Sequence, residues 1–316
     1  MIQVDRLSKR FGSHTVVDGI RFDVGRGEIV GLLGPNGAGK TTTMRMLTTY
    51  LSPTSGRARL AGHDVLDEPL QVRRKVGYLP ENVPLYTEMR VSEYLRYRAR
   101  LKDVPRAERR RAIGAVVSRC RLGEVENRLI GQLSRGFRQR VGLAEAMVHD
   151  PEILILDEPT AGLDPLQIRQ VRELIRELAL RHTILLSTHI LSEVEAVCGR
   201  VIIIARGRIA LDDQLTNLRR QGAITLEARG PSDPIRAALQ TIPGVERVVL
   251  ARRDGDHACF EVQTRDSQDL REAMSHKLMT NGWPLRQLDL RRSSLEERFT
   301  QVVTQDTLAD AQLEAV

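Results

Sequence analysis

Gly34-Pro35-Asn36-Gly37-Ala38-Gly39-Lys40-Thr41-Thr42 follows an apolar run ending at Leu33 and precedes a stretch with helical spacing. It matches G-x-x-x-x-G-K-[ST] in the strand–loop–helix setting that the pattern requires. Glycines let successive backbone N–H groups curl around phosphate oxygens without Cβ clashes. The helix that follows aims its positive end at the same anion. In such a loop Lys40 bridges the β- and γ-phosphates and the Thr41 hydroxyl ligates Mg²⁺. A chance glycine turn does not explain these flanking elements, so nucleotide binding is expected. The loop alone does not separate a kinase, a GTPase, a DNA-repair ATPase and a transporter ATPase.

Outward from the loop, residues 28–33 read as a strand and 40 to about 50 as a helix. Residues 2–24 alternate apolar and polar positions, which predicts a small antiparallel sheet. Pro53, Ser55 and Gly56 read as a turn, and 60–62 and 76–79 as short strands. Residues 84–150 turn to helices rich in Arg and Glu. Strand sequence returns at 153–157, 183–187 and 201–205, with helices at 165–181 and 191–198 between. Alternating strands and helices predict a mainly parallel sheet into which the helical block is inserted. Ile153-Leu154-Ile155-Leu156-Asp157-Glu158-Pro159 is an apolar strand ending in two acids. A run apolar on both faces suits a central parallel strand, and ligands of open α/β sheets bind where such strands end. Asp157 is then placed to hold Mg²⁺ and Glu158 to polarise an attacking water.

Composition limits the function classes. The 316 residues are 41% hydrophobic and 28% charged, ordinary globular values. Cys120, Cys198 and Cys259 lie far apart without a CxxC pair, which speaks against a zinc site or a disulfide framework and for a reducing compartment. The amino-terminal residues have no apolar core of signal-peptide length, and no run approaches the roughly 20 apolar residues of a membrane span. A soluble protein is expected. The net charge of +7 suggests nucleic acid, but aromatics make up only 3% of the chain and offer few stacking platforms. Arg109, Arg110 and Arg111 precede Ile113, Val116, Val117 and Cys120 at amphipathic spacing. They read as a solvated helix face, with mild attraction to an anionic inner leaflet as the second possibility.

Composition shifts near 212–222. Beyond it, strand 224–228, helix 234–241, strands 245–251 and 258–264, helix 267–280 and strand 285–290 spell β-α-β-β-α-β, the order of a small ferredoxin-like domain. Ser294 and Glu297 have capping-box spacing at the start of a helix expected over 294–303. The expected domains are 1–215, with its helical subdomain at about 84–150, then 216–305, and a tail at 306–316. His257, Cys259 and His276 read as ordinary fold residues and not as metal ligands.

Leu133-Ser134-Arg135-Gly136-Phe137-Arg138-Gln139-Arg140 resembles the ABC signature, usually LSGGQ, and stands just before the aspartate-bearing strand as in that family. Ala161-Gly162-Leu163-Asp164 resembles the D-loop, and Ser187-Thr188-His189 the switch strand and its histidine. Val76-Gly77-Tyr78-Leu79-Pro80-Glu81-Asn82 occupies the Q-loop position. Phe11 stands where the family has an aromatic that stacks on adenine. The resemblance spans about residues 2–215. It implies a P-loop ABC ATPase core that uses ATP and Mg²⁺ in a homodimer, with Ser134, Arg135 and Gly136 meeting the γ-phosphate held by the opposite subunit. His189 would report on that phosphate and Asp164 would lie across the seam. Alone, His189 reads as a surface histidine; its place directly after a strand reverses that. Glu81 replaces the family's glutamine and Arg135 its first signature glycine. Glu81 is better suited to a coupling loop than to ligating metal, and Arg135 adds charge near the phosphate or points into solvent.

The GYLPE and LSRGFRQR forms, with Ser294-Leu295-Glu296-Glu297-Arg298-Phe299, resemble ATP-binding subunits of ABC-2-type exporters, in particular the gliding-motility and nitrous-oxide-reductase-maturation groups. That resemblance implies a membrane permease as partner, no nucleic acid, and a cytoplasmic place at the inner face of the cell membrane. The alternative is a soluble ABC ATPase acting on ribosomes or DNA. Its translation-type members usually carry two nucleotide domains and its repair-type members long coiled coils, and this chain shows neither.

Overall fold

The computed structural model describes residues 1–220, 223–265, 268–291 and 299. The expected helix 294–303, with Ser294 and Glu297, and the tail 306–316 lie outside the described residues, Phe299 excepted. The chain divides into two compact units between Asp213 and Gln214.

In the first unit β1 (Ile2–Phe11) and β2 (His14–Val24) form a hairpin, and β3 (Ile29–Leu33) leads through the phosphate loop into α1 (Lys40–Leu47). Then come β4 (Ser55–Leu60), β5 (His63–Asp64), α2 (Pro69–Lys75) and β6 (Val76–Leu79). Helices α3 (Val91–Leu101), α4 (Arg106–Arg119) and α5 (Arg135–Met147) form the helical region. The chain re-enters the sheet with β7 (Ile153–Asp157), α6 (Pro165–Leu178), β8 (Thr183–Thr188), α7 (Leu191–Val197), β9 (Arg200–Ala205) and β10 (Arg208–Gln214).

Three expectations are corrected. Helix α1 ends at Leu47 and not near 50: Thr49 turns to φ 60°, and the N–H groups of Tyr50 and Leu51 both donate to the Arg45 carbonyl, at 2.9 and 3.0 Å. Strand β4 begins at Ser55, where a turn was read. Gly56 has φ +81°, and a Cβ there would meet the Arg6 carbonyl at 2.0 Å, so this glycine lets β4 pass the irregular register of β1 between Asp5 and Ser8. Helix α2 was not anticipated, because only Val72 in it is buried and its apolar period is correspondingly weak.

One sheet runs β2-β1-β4-β5, and the other β10-β9-β3-β8-β7-β6. In the second, β3 pairs in parallel with β8 and β9, and β7 in parallel with β6 and β8. All of β7 is buried, as its two-faced apolar run requires; each such Ile or Leu contributes about 1.5–3 kcal/mol. In α6, Val171, Leu174, Ile175 and Leu178 face the core, Pro165 fills the first turn, and the Asp164 carboxylate accepts the Gln167 N–H at 2.9 Å as N-cap. The register sets Leu33 beside Thr188 and Asp157 beside Ser187, which brings the phosphate loop, the acid pair and the switch strand to one edge.

The second unit contains α8 (Leu215–Arg220), β11 (Ala223–Arg229), α9 (Ser232–Gln240), β12 (Val245–Asp254), β13 (His257–Thr264), α10 (Arg271–Thr280) and β14 (Leu285–Arg291). Its sheet runs β12-β13-β11-β14 with antiparallel pairing. Ile224, Leu226 and Ala228 alternate along β11 and pack with Ile235 and Leu239 of α9 and Met274 and Leu278 of α10. Among the described residues, no helix is long and apolar enough to cross a membrane.

Candidate active site

A pocket of about 370 Å³ opens at the carboxyl ends of the parallel strands, lined by Asn36, Gly37, Gly39, Lys40, Thr41, Thr42, Glu81, Glu158, Ala161 and His189, with Val16 from the hairpin. Glycine is required at its base: Gly39 has φ +105°, and a Cβ there would lie 2.8 Å from the Val16 carbonyl. The space these residues keep open is what a chain of phosphates needs.

Lys40 is 6% exposed and Glu158 7%. The Lys40 ammonium donates to the carbonyls of Gly34 at 2.8 Å and Pro35 at 3.1 Å, and stands 3.8 Å from Glu158 Oε1. Burial lowers its pKa from the ordinary lysine value, while the charges of Glu158, Asp157 and Glu81 pull it back up. Asp157 Oδ1 accepts the Ser187 hydroxyl at 2.5 Å and the Thr41 hydroxyl at 3.2 Å, whereas its Oδ2 is buried without any partner. An orphaned, buried carboxylate oxygen beside a threonine hydroxyl is a donor set suited to Mg²⁺, a hard cation.

Glu158 holds φ +48°, uncommon for a residue with a side chain and a source of backbone strain of about 1–3 kcal/mol. Its N–H donates to the Ser187 hydroxyl at 3.0 Å, and its carboxylate meets His189 Nδ1 at 3.0 Å. The acid, the histidine and the lysine therefore converge. Ser187 is the contact that sequence reading passed over, although it opens the quoted Ser187-Thr188-His189 stretch. Gln139, buried in α5, donates to the Pro159 carbonyl at 3.2 Å and ties the signature helix to the loop after Glu158. No spacing in the sequence pointed to it.

The remaining expected residues do not line this pocket. Phe11 is 49% exposed at the hairpin, with the Lys9 ammonium 5.1 Å from its ring centroid. Ser134 caps α5 by accepting the Phe137 N–H at 3.4 Å. Arg135 is exposed, and its guanidinium lies over Gly162, where a Cβ would be 2.3 Å from its Cζ. Gly136 faces the Gln167 side chain. Ser134, Arg135, Gly136 and Asp164 thus form a second group on α5 and the start of α6, apart from Lys40.

Known proteins resemble this chain in sequence and in fold. A profile of the ABC transporter family matches residues 17–161. The chain is 35% identical to the uncharacterized ABC transporter ATP-binding protein YxlF of Bacillus subtilis, over 96% of this chain and 99% of that protein. It is 38% identical to the Nod factor export ATP-binding protein I of Paraburkholderia xenovorans, over 79% of this chain and 83% of that one. A solved ATP binding subunit of an ABC transporter superposes with a TM-score of 0.65 at 34% identity, covering 70% of this chain and 92% of the other.

Proposed function

This chain belongs to the ABC transporter family of ATP-binding proteins and is an ATPase, and on that footing we propose that it closes as a homodimer on ATP, reopens after hydrolysis, and so drives a separate membrane permease in export. The observation that carries the proposal is the meeting of Lys40, Asp157, Glu158, Ser187 and His189 at one strand edge, while Ser134 and Gly136 stand outside that pocket. One copy supplies the phosphate loop and the acids, and the other presents its signature helix, N-terminus first, to the γ-phosphate.

In this reading Lys40 gives up its loop carbonyls to bridge the β- and γ-phosphates, and loop N–H groups surround the phosphate oxygens. Thr41 and Asp157 would hold Mg²⁺, which when bound would neutralise negative charge on the phosphates. Glu158 orients the attacking water and accepts its proton. His189, held by Glu158 through Nδ1, contacts the γ-phosphate with its other ring nitrogen. Phe11 stacks on the adenine of the bound nucleotide. Asp164 and Arg135 lie at the seam between copies.

Glu81 lines the phosphate pocket, while its neighbours Pro80 and Asn82 line a separate cavity of about 420 Å³ with Arg45, Arg73 and Arg98. A single loop therefore touches both, and the second cavity is our candidate contact for the permease. Arg98 of α3 and Lys102 just after it line that cavity, whereas Arg96 and Arg100 of α3 join Arg106, Arg109 and Arg110 around another open cavity of about 790 Å³. Those arginines favour a place beside anionic lipid at the cytoplasmic face. The second unit is read as an accessory domain. Export itself draws support from the Nod factor export relative.

The test is recovery of the chain from solubilised membranes, with its partners identified by mass spectrometry. A copurifying permease supports the reading. Ribosomal or DNA-repair proteins, with the chain wholly in the soluble fraction, would leave the ATPase standing and overturn transport.

A further inference from the structure

Glu193, in the first turn of α7, is buried yet does not line the phosphate pocket. Its Oε1 accepts the Thr160 hydroxyl at 2.5 Å and its Oε2 accepts the Thr188 hydroxyl at 2.7 Å. Thr160 lies just beyond Glu158 and Pro159, and Thr188 immediately precedes His189. Because Glu158 and His189 meet at 3.0 Å, these contacts close a ring: Glu158, Thr160, Glu193, Thr188, His189 and back to Glu158. The ring has an outside anchor. Arg172 of α6, the helix capped by Asp164, places Nη2 3.9 Å from Glu193 Oε1.

A carboxylate in the core is costly unless it is paired and fully hydrogen-bonded, and apolar residues of similar volume often serve stability as well or better. Here both oxygens are used, one on the loop after Glu158 and one at the end of β8 next to His189. Thr188 is doubly engaged, since its hydroxyl also accepts the Ile190 N–H at 3.0 Å. The strained φ of Glu158 needs surroundings that over-determine it, and the ring supplies part of them.

We propose that Glu193 is a positioning residue that fixes the Glu158–His189 pair in hydrolytic geometry and, through Arg172, ties that pair to the helix beginning at Asp164. The proposal rests on the reading of Glu158 as general base.

The experiment is steady-state ATP hydrolysis by the full chain with Mg²⁺, using Glu158→Gln as reference and thermal midpoints as a check on folding. Glu193→Ala lowers kcat by on the order of 10–100-fold, the scale of a displaced catalytic group, while KM for ATP stays within about twofold. Glu193→Gln keeps one carbonyl acceptor and recovers part of the loss. Thr160→Val and Thr188→Val each lower kcat, and neither lowers it further when added to Glu193→Ala. Thr188→Ser retains the hydroxyl and the activity. Wild-type kcat in Glu193→Ala beside an inactive Glu158→Gln would overturn this inference and leave the base assignment intact. An active Glu158→Gln would remove the reading beneath it. A loss of kcat that only follows the folded fraction would make Glu193 structural. Should Glu193→Ala fail to fold, wild-type kcat in both valine variants overturns the proposal.

Discussion

The two ends of the six-stranded sheet use the same kinds of residue in opposite ways. At the carboxyl ends, charge is concentrated and left with work to do: Asp157 Oδ2 is buried without a partner, Glu158 is strained at φ +48°, and Lys40 rests on loop carbonyls 2.8 and 3.1 Å away. At the amino ends, charge is used to close the structure. Glu152 meets Lys75 at 2.6 Å and Arg26 at 3.4 Å, Thr183 accepts the Gly27 N–H at 3.0 Å, and His182 Nδ1 contacts the Pro151 carbonyl at 2.6 Å. The orphaned oxygen of Asp157 and the strain of Glu158 stand where a ligand can supply a partner, so binding there returns part of the free energy they cost. The contrast predicts that changes at the carboxyl ends alter turnover and spare stability, and that changes at the amino ends do the reverse.

The largest expected effect is at Glu158. Glu158→Gln lowers kcat by about 10²–10⁴-fold, the worth of general-base help, while nucleotide binding persists and an ATP-closed dimer accumulates on size exclusion. Normal turnover in this variant would break the comparison at its strongest point. Ser187→Ala sharpens it, because Ser187 serves both the chemistry and the fold. It leaves the buried Asp157 short of a donor, at a cost of about 1–3 kcal/mol in a denaturation midpoint, with kcat lower as well. A fall in stability alone would place Ser187 with the amino-end residues.

His149 tests the opposite end by pH. Its Nε2 lies 3.2 Å from the Val76 carbonyl, and burial, helped by the Lys102 charge, pushes its pKa down to about 3. The folded state keeps it neutral while the unfolded chain takes up a proton below about 6.5. Its contribution to stability is thus present above pH 6.5 and is lost as pH falls toward 3. A non-titrating His149→Gln should flatten the acid limb of the midpoint-against-pH curve and leave ATP hydrolysis at neutral pH unchanged. The smallest effect is expected at Lys75. Lys75→Met removes a partly exposed ion pair, worth about 0.2–1 kcal/mol, with unaltered kcat; an altered kcat would mean that the two ends are not separate.

Legibility followed distance along the chain. The phosphate loop could be read because its parts are contiguous, and Asp157 and Glu158 because an apolar run stops at them. Ser187 could not be assigned to Asp157 before the parallel register of β7 and β8 was known. Glu193 carried no pattern of its own, and the five arginines around the 790 Å³ cavity looked like a single basic run at Arg109–Arg111 until α3 brought Arg96 and Arg100 beside it. The sequence around Arg135 does not point to Gly162, which it covers and which is far away in sequence and adjacent in space.

By itself, then, the sequence determined a phosphate-binding loop between strand and helix, an acid pair at a strand end, and a parallel α/β core, because each depends on residues close enough in the chain to share one turn or one strand. Only the tertiary structure decided which hydroxyls serve Asp157, that Glu158 stands strained against His189, and that Glu193 joins the loops carrying them. Those contacts come from strand register and helix packing, whose free energy is spread over the whole core and written in no single stretch.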